Sequence, residues 1–209
     1  MTQSILFILL GWILGLFSPL IVDEIKKWRN RGEVGKAIRT ELGELRLKLI
    51  FMIYLNRMQL GTFDRDLLNW MKPIVTKYQG AHVTHPILQA FDLLSSFDDA
   101  KLKGYVARES SSQSGLSMKK YSIPYLEAKM DQLAQFPEKM QSTLLSIKAH
   151  LELVNQEIDI ARFYMEKTFD SSIDAANLQI IQGNLRGRYD FAAEGARTTV
   201  DLINKLDGI

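Results

Sequence analysis

Three histidines, a few paired carboxylates and one glycine- and arginine-rich stretch are the groups in this sequence able to hold or transform a ligand. His82 and His85 are two residues apart, a spacing found in some metal sites. They fall in a segment with turn character and have no thiol or carboxylate close by in sequence. His150 falls beside the apolar stripe of a long helix rather than on it. A di-iron bundle would need Glu-x-x-His elements on core faces, and the sequence has none. No metal ligand set is expected.

Gly183-Asn184-Leu185-Arg186-Gly187-Arg188 has the composition of a phosphate-binding loop. It lies inside a helix-periodic segment with no strand before it, so packing or a local bend is the expectation. Asp64 with Asp66, and Asp98 with Asp99, are placed to start helices, where acids meet the positive end of the dipole. Phosphate-loop, dinucleotide and nucleophile-elbow motifs are missing. The chain has no cysteine, which removes disulfides, thiolate metal sites and a cysteine nucleophile. The expectation is a protein without catalytic residues, cofactor or metal.

Periodicity supplies the elements. Met140, Leu144, Ile147, Leu151, Val154, Ile158, Ala161 and Met165 step by four and three, the heptad seam of a long helix packed on a partner. After a turn at Phe169–Ser172, capped by Ser171 or Ser172, the rhythm resumes through Leu178, Ile181, Leu185, Arg188, Ala192, Gly195, Thr199, Leu202 and Leu206. The two predict an antiparallel pair. A turn near Ser171 sets Arg188 roughly opposite Val154, within reach of Glu152 or Glu157, and one such polar pair can fix register.

Upstream, Ile38, Leu42, Leu45, Leu49 and Met52 begin a stripe that widens until the helix over Lys36–Leu60 is apolar nearly all round, so it is expected at the centre. Shorter helices are predicted over Phe63–Tyr78, kinked or divided by Pro73, after Pro86 and over Ala100–Arg108. The serine-rich stretch Glu109–Ser122 reads as a loop, and Pro124 starts the next helix.

The N-terminus differs from all of this. Ile5–Val22 has no charged side chain and is long enough to cross a bilayer as a helix. It lacks the basic start and cleavage site of a signal peptide. Asp23–Lys36 holds five basic and three acidic residues, the whole of the chain's +2, so residues 37–209 are neutral and no nucleic-acid partner is expected. The positive-inside rule would put the N-terminus outside and the C-terminal domain in the cytoplasm. Lys26, Lys27, Trp28, Arg29 and Arg31 would then lie at the membrane interface. Gly11, Gly15 and Pro19 share one helix face suited to close packing. Gly32 and Gly35 suggest a hinge over 32–35.

The expected fold is mainly α: one transmembrane helix over 1–31, then an up-and-down helical bundle over 36–209 ending in the long antiparallel pair. The expected function is a non-enzymatic, membrane-anchored protein-interaction or self-assembly module at the cytoplasmic face. Its partners would be the lipid bilayer and a protein partner or a homo-oligomer. One alternative is a membrane effector whose transmembrane helices assemble and perturb the bilayer. Another is a ligand-binding bundle with a pocket opened by Gly183, Gly187 and Gly195.

Overall fold

A computed structural model describes residues 2–78, 84–111 and 118–206, with the side chains of residues 2–11 and 13–21 outside the description. The described chain is mainly helical, and no strand occurs in it. Helix α1 runs Thr2–Leu60, followed by α2 (Arg65–Thr76), α3 (His85–Ser95), α4 (Asp99–Ser110) and α5 (Pro124–Ala128). A 3-10 turn, Met130–Gln135, leads into the two long helices α6 (Glu138–Lys167) and α7 (Ala175–Leu206).

The most extensive packing joins α6 to α7, and the next joins α7 to α1. Val154 lies against Gly195 and Glu157 pairs with Arg188, so rising numbers on α6 meet falling numbers on α7. The α6 stripe from Met140 to Ala161 is buried throughout, as the heptad spacing predicts, and Met165 is half-buried at its end. On α7 the predicted stripe is buried only at Ala192, Thr199 and Leu206. Beside it runs a second buried line, Tyr189, Ala193, Ala196, Val200 and Ile203. A helix packed on two neighbours needs two seams, and α7 touches both α6 and α1. Its small residues let three helices approach closely.

The core begins at Val34 and follows α1 through Ile38, Leu42, Leu49 and Ile53, which places this part of α1 at the centre as its wide apolar face demands. Asp64 accepts from the Leu67 backbone N–H at 2.8 Å and Asp98 from that of Lys101 at 2.7 Å. Both acids therefore cap helices. Pro73 lies within α2 without dividing it. The cap of α7 is Asp174, which accepts from the backbone N–H of Ala176 and Asn177, both at 3.0 Å, rather than Ser171 or Ser172. Gly61 closes α1 with φ +74°, the left-handed conformation that glycine adopts without steric cost.

Two expectations for the N-terminus are corrected. First, α1 runs without interruption through Gly32 and Gly35, where a hinge was expected. Each glycine weakens a helix by about 0.8–1 kcal/mol relative to alanine. At Gly35 the cause is packing, since a Cβ there would lie 3.1 Å from the ring of Phe136. Second, the single-pass membrane assignment fails, and with it the outside N-terminus and the cytoplasmic domain that were read from it. Among the described residues no helix is long and apolar enough to cross a membrane. A crossing needs about 20 consecutive apolar residues. From Val22 onward α1 carries Asp23, Glu24, Lys26, Lys27, Arg29 and Arg31 in its next turns. The packing set Gly11, Gly15 and Pro19 lies outside the described side chains.

Candidate interaction site

The polar pair on the hairpin is the simplest element of the surface. Arg188 Nη1 donates to Glu157 Oε2 at 3.0 Å, with both side chains about one-quarter to one-third exposed. Glu152 is not part of it. Its carboxylate is taken by Lys148 one turn earlier, and that hydrogen bond pushes the lysine pKa up. The residue set against Val154 is Gly195, whose missing Cβ would fall 3.0 Å from Val154 Cγ2. The chain turns between Lys167 and Ala175, around Ser171 as expected, and Arg188 sits nearer the tip than the sequence suggested.

Four polar clamps tie remote parts of the chain together, two of them from α1. Near the end of α1, Arg57 forms ion pairs with Asp190 and Glu194 on α7. Next to it the buried Asn56 donates to the Tyr189 carbonyl at 3.3 Å. Glu41 accepts the backbone N–H groups of Tyr125 and Leu126, both at 2.8 Å, and so caps α5. Arg65 spans the α3–α4 junction, donating to the carbonyls of Leu94 and Phe97 and pairing with Asp99 at 3.2 Å. From α6, Asn155 holds both backbone groups of Tyr121, and Arg162 donates to the Met118 carbonyl at 2.9 Å. Each clamp joins residues remote in sequence, so no local spacing announces it.

No reactive group emerges from these contacts. Burial pushes the phenols of Tyr54, Tyr121 and Tyr189 up, which keeps them protonated at neutral pH. His85 contacts Gln89 at 2.9 Å and His150 contacts the Ser146 carbonyl at 2.9 Å. His82 lies outside the described residues. Among the described residues there is no group of three side chains suited to hold a metal ion. Gly183 and Gly187 face open space while Gly195 is closed against Val154, so these glycines enclose no pocket. A groove of about 680 Å³ lies elsewhere, between α1 and residues 118–124, with Phe51, Leu55 and Tyr121 among its walls.

The least expected feature is the outward side of the hairpin. On α6, Leu145, Ala149, Leu153, Gln156, Ile160 and Phe163 are all exposed and step by four, four, three, four and three. At 100° per residue this line lies almost opposite the buried seam. Leu153 and Phe163 are 55% and 54% exposed. On α7, Ile180 and Phe191, 61% and 58% exposed, lie on one helix face with Asn184 and Gly187 between them. Arg188 stands 5.5 Å from the Phe191 ring and Lys167 5.8 Å from that of Phe163. The signal was present in the sequence, since α6 carries two apolar lines and only one can face α7.

A second feature surrounds the residues first assigned to a membrane interface. Trp28 is 70% exposed, Lys27 reaches Glu24 at 4.0 Å, Arg29 reaches Glu33 at 3.5 Å, and Arg31 donates to the Gln135 carbonyl at 3.4 Å. Lys26 is exposed alongside them. Of these residues, Trp28, Arg29 and Arg31 line a groove of about 850 Å³ along α1, walled by Tyr78, Phe136 and Pro137.

Comparison of the chain with protein-family models, with curated proteins and with solved structures gives no match.

Proposed function

We propose that this chain is a non-enzymatic, up-and-down helical bundle acting as a protein-interaction or self-assembly module, with the outward face of the α6–α7 hairpin as its docking surface. The observation that carries this reading is the exposed apolar line Leu145, Leu153, Ile160 and Phe163 on the side of α6 turned away from α7. Contiguous exposed apolar patches at regular helical spacing mark sites where another surface is covered. A helix laid along this line would meet anchors at the spacing used in helix-in-groove recognition. The clamps at Arg57 and Asn155 hold the hairpin rigid against the rest of the bundle, so the face is already formed before anything binds.

The test is chemical crosslinking of the full chain in the cells that express it, comparing the native sequence with the double variant Leu153→Glu, Phe163→Glu. Both positions are exposed, so the variant is expected to keep the native thermal unfolding curve. The native chain should give a crosslinked species of discrete mass that the variant lacks. An absence of crosslinked species for the native chain, or the same species for both, overturns the reading.

A further inference from the structure

The groove along α1 concentrates charge beyond anything else described in the fold. Its lining holds Arg29, Arg31, Lys36, Arg39, Arg46 and Lys77 against two acids, Glu33 and Glu44. That is an excess of four positive charges, whereas the entire chain carries +2. Arg29, Arg31 and Arg46 have partners, the last donating to Asn204 at 2.9 Å. The side chains of Lys36, Arg39 and Lys77 have none among the described residues, and all three are exposed.

The arrangement of these cations has a period. Ile25, Arg29, Gly32, Lys36, Arg39, Gly43 and Arg46 step by four and three without a lapse, a straight seam down the outward side of α1. Two of its positions are glycines, in a helix where glycine is unfavourable. Gly35 has an internal reason, the Phe136 ring, but a Cβ at Gly32 or Gly43 would meet nothing within 4 Å. The intramolecular packing therefore gives no use for their small size. Both line the groove, where a glycine lets an incoming backbone approach α1 closely. Trp28 and Tyr78 offer apolar and aromatic surface beside the cations.

We infer that this groove is a second binding site, which takes an acidic, amphipathic helical segment of a partner polypeptide. The 4-3 seam sets the geometry of a helix, the glycines set a close approach, and the unpaired Lys36, Arg39 and Lys77 require carboxylates on the incoming face. From Ile25 to Arg46 the seam spans roughly 30 Å, which a helix of roughly 20 residues would cover. A 4-3 seam flanked by the apolar and aromatic groups of Trp28, Tyr78 and Phe136 suits side chains of a helix better than a phosphate backbone. The site lies on a different helix from the hairpin face and takes a partner of different chemistry.

The test uses the full chain and a fluorescent synthetic helical peptide of roughly 20 residues with glutamates at four-three spacing between leucines and alanines. A peptide with lysine replacing each glutamate and a single-stranded oligonucleotide serve as comparisons. The acidic peptide should bind, more weakly as salt rises, while the lysine peptide should not. Lys36→Glu with Arg39→Glu should weaken it by about tenfold or more. Gly43→Phe, whose Cβ meets nothing within 4 Å and whose ring occupies the groove without changing charge, should weaken it similarly. Thermal unfolding should be unchanged in each variant. No binding of the acidic peptide, stronger binding of the oligonucleotide, or an affinity untouched by both kinds of variant overturns the inference. The crosslinked species that depends on Leu153 and Phe163 should persist in the groove variants, so failure here is separable from failure of the hairpin reading.

Discussion

The two faces of α6 carry nearly the same side chains and have opposite surroundings. Leu144 and Ile158 are fully buried against the bundle, while Leu145 and Ile160, one and two residues further on, are 47% and 37% exposed. Hydrophobicity and spacing do not distinguish them. What differs is the neighbour: α7 covers one face, and nothing among the described residues covers the other. An apolar line states that a partner is needed, and only the fold tells whether the chain supplies it.

Substitutions that treat the two faces alike separate them most sharply. Ile158→Ala should cost about 2–5 kcal/mol in urea unfolding, through lost burial and the cavity left behind, whereas Ile160→Ala should cost less than about 0.5 kcal/mol. Equal effects would remove the distinction. The glycines of α7 extend the comparison. Gly195→Leu drives a side chain into Val154 and should destabilise by about 1–3 kcal/mol. Gly187→Leu, in open space, should be neutral or stabilise by up to about 1 kcal/mol through helix propensity alone.

A smaller effect is expected of the polar pair between the helices. A double-mutant cycle on Arg188 and Glu157 should give a coupling of about 0.5–1 kcal/mol, since both groups keep part of their exposure to solvent. The same cycle on Arg188 and Glu152 should give none. Smallest is the cap of α7. The backbone N–H of Asn177, then its side chain, hold the Asp174 carboxyl below the usual carboxylate range. A folded-state value below the unfolded one stabilises above the unfolded value and is lost as pH falls through the folded value. Amide exchange at Ala176 and Asn177 should therefore quicken, relative to the rest of α7, only as pH drops below the ordinary carboxylate range. Asp174→Ala should remove that pH dependence.

The parts of the fold legible in the sequence are those governed by one neighbour. The α6 seam, the caps at Asp64 and Asp98, and the central place of Ile38–Ile53 all follow from local spacing. The second seam of α7 was missed because its small residues, Ala193 and Ala196, carry little apolar signal, and it exists only because α1 packs there. The hinge expected at Gly32 and Gly35 rested on propensity, which the packing of Phe136 overrides at Gly35. The membrane assignment rested on Ile5–Val22 alone, whereas the described α1 continues as a charged helix into the core. At the candidate sites, Arg188 and Glu157 could be paired from the hairpin geometry. The outward line of α6 was not read as a surface, because one seam sufficed to explain the helix. Glu41 at the start of α5 had no signal at all, its partners being distant in sequence.

The account stands most directly on whether the outward face of α6 is covered in the working protein. A photoreactive residue placed at Leu153, compared with one at Lys103 on the exposed side of α4, reads this in the expressing cell. The account predicts a discrete adduct from position 153, lost on adding Phe163→Glu, and none from position 103. No adduct at 153, or equal labelling from both positions, would contradict it.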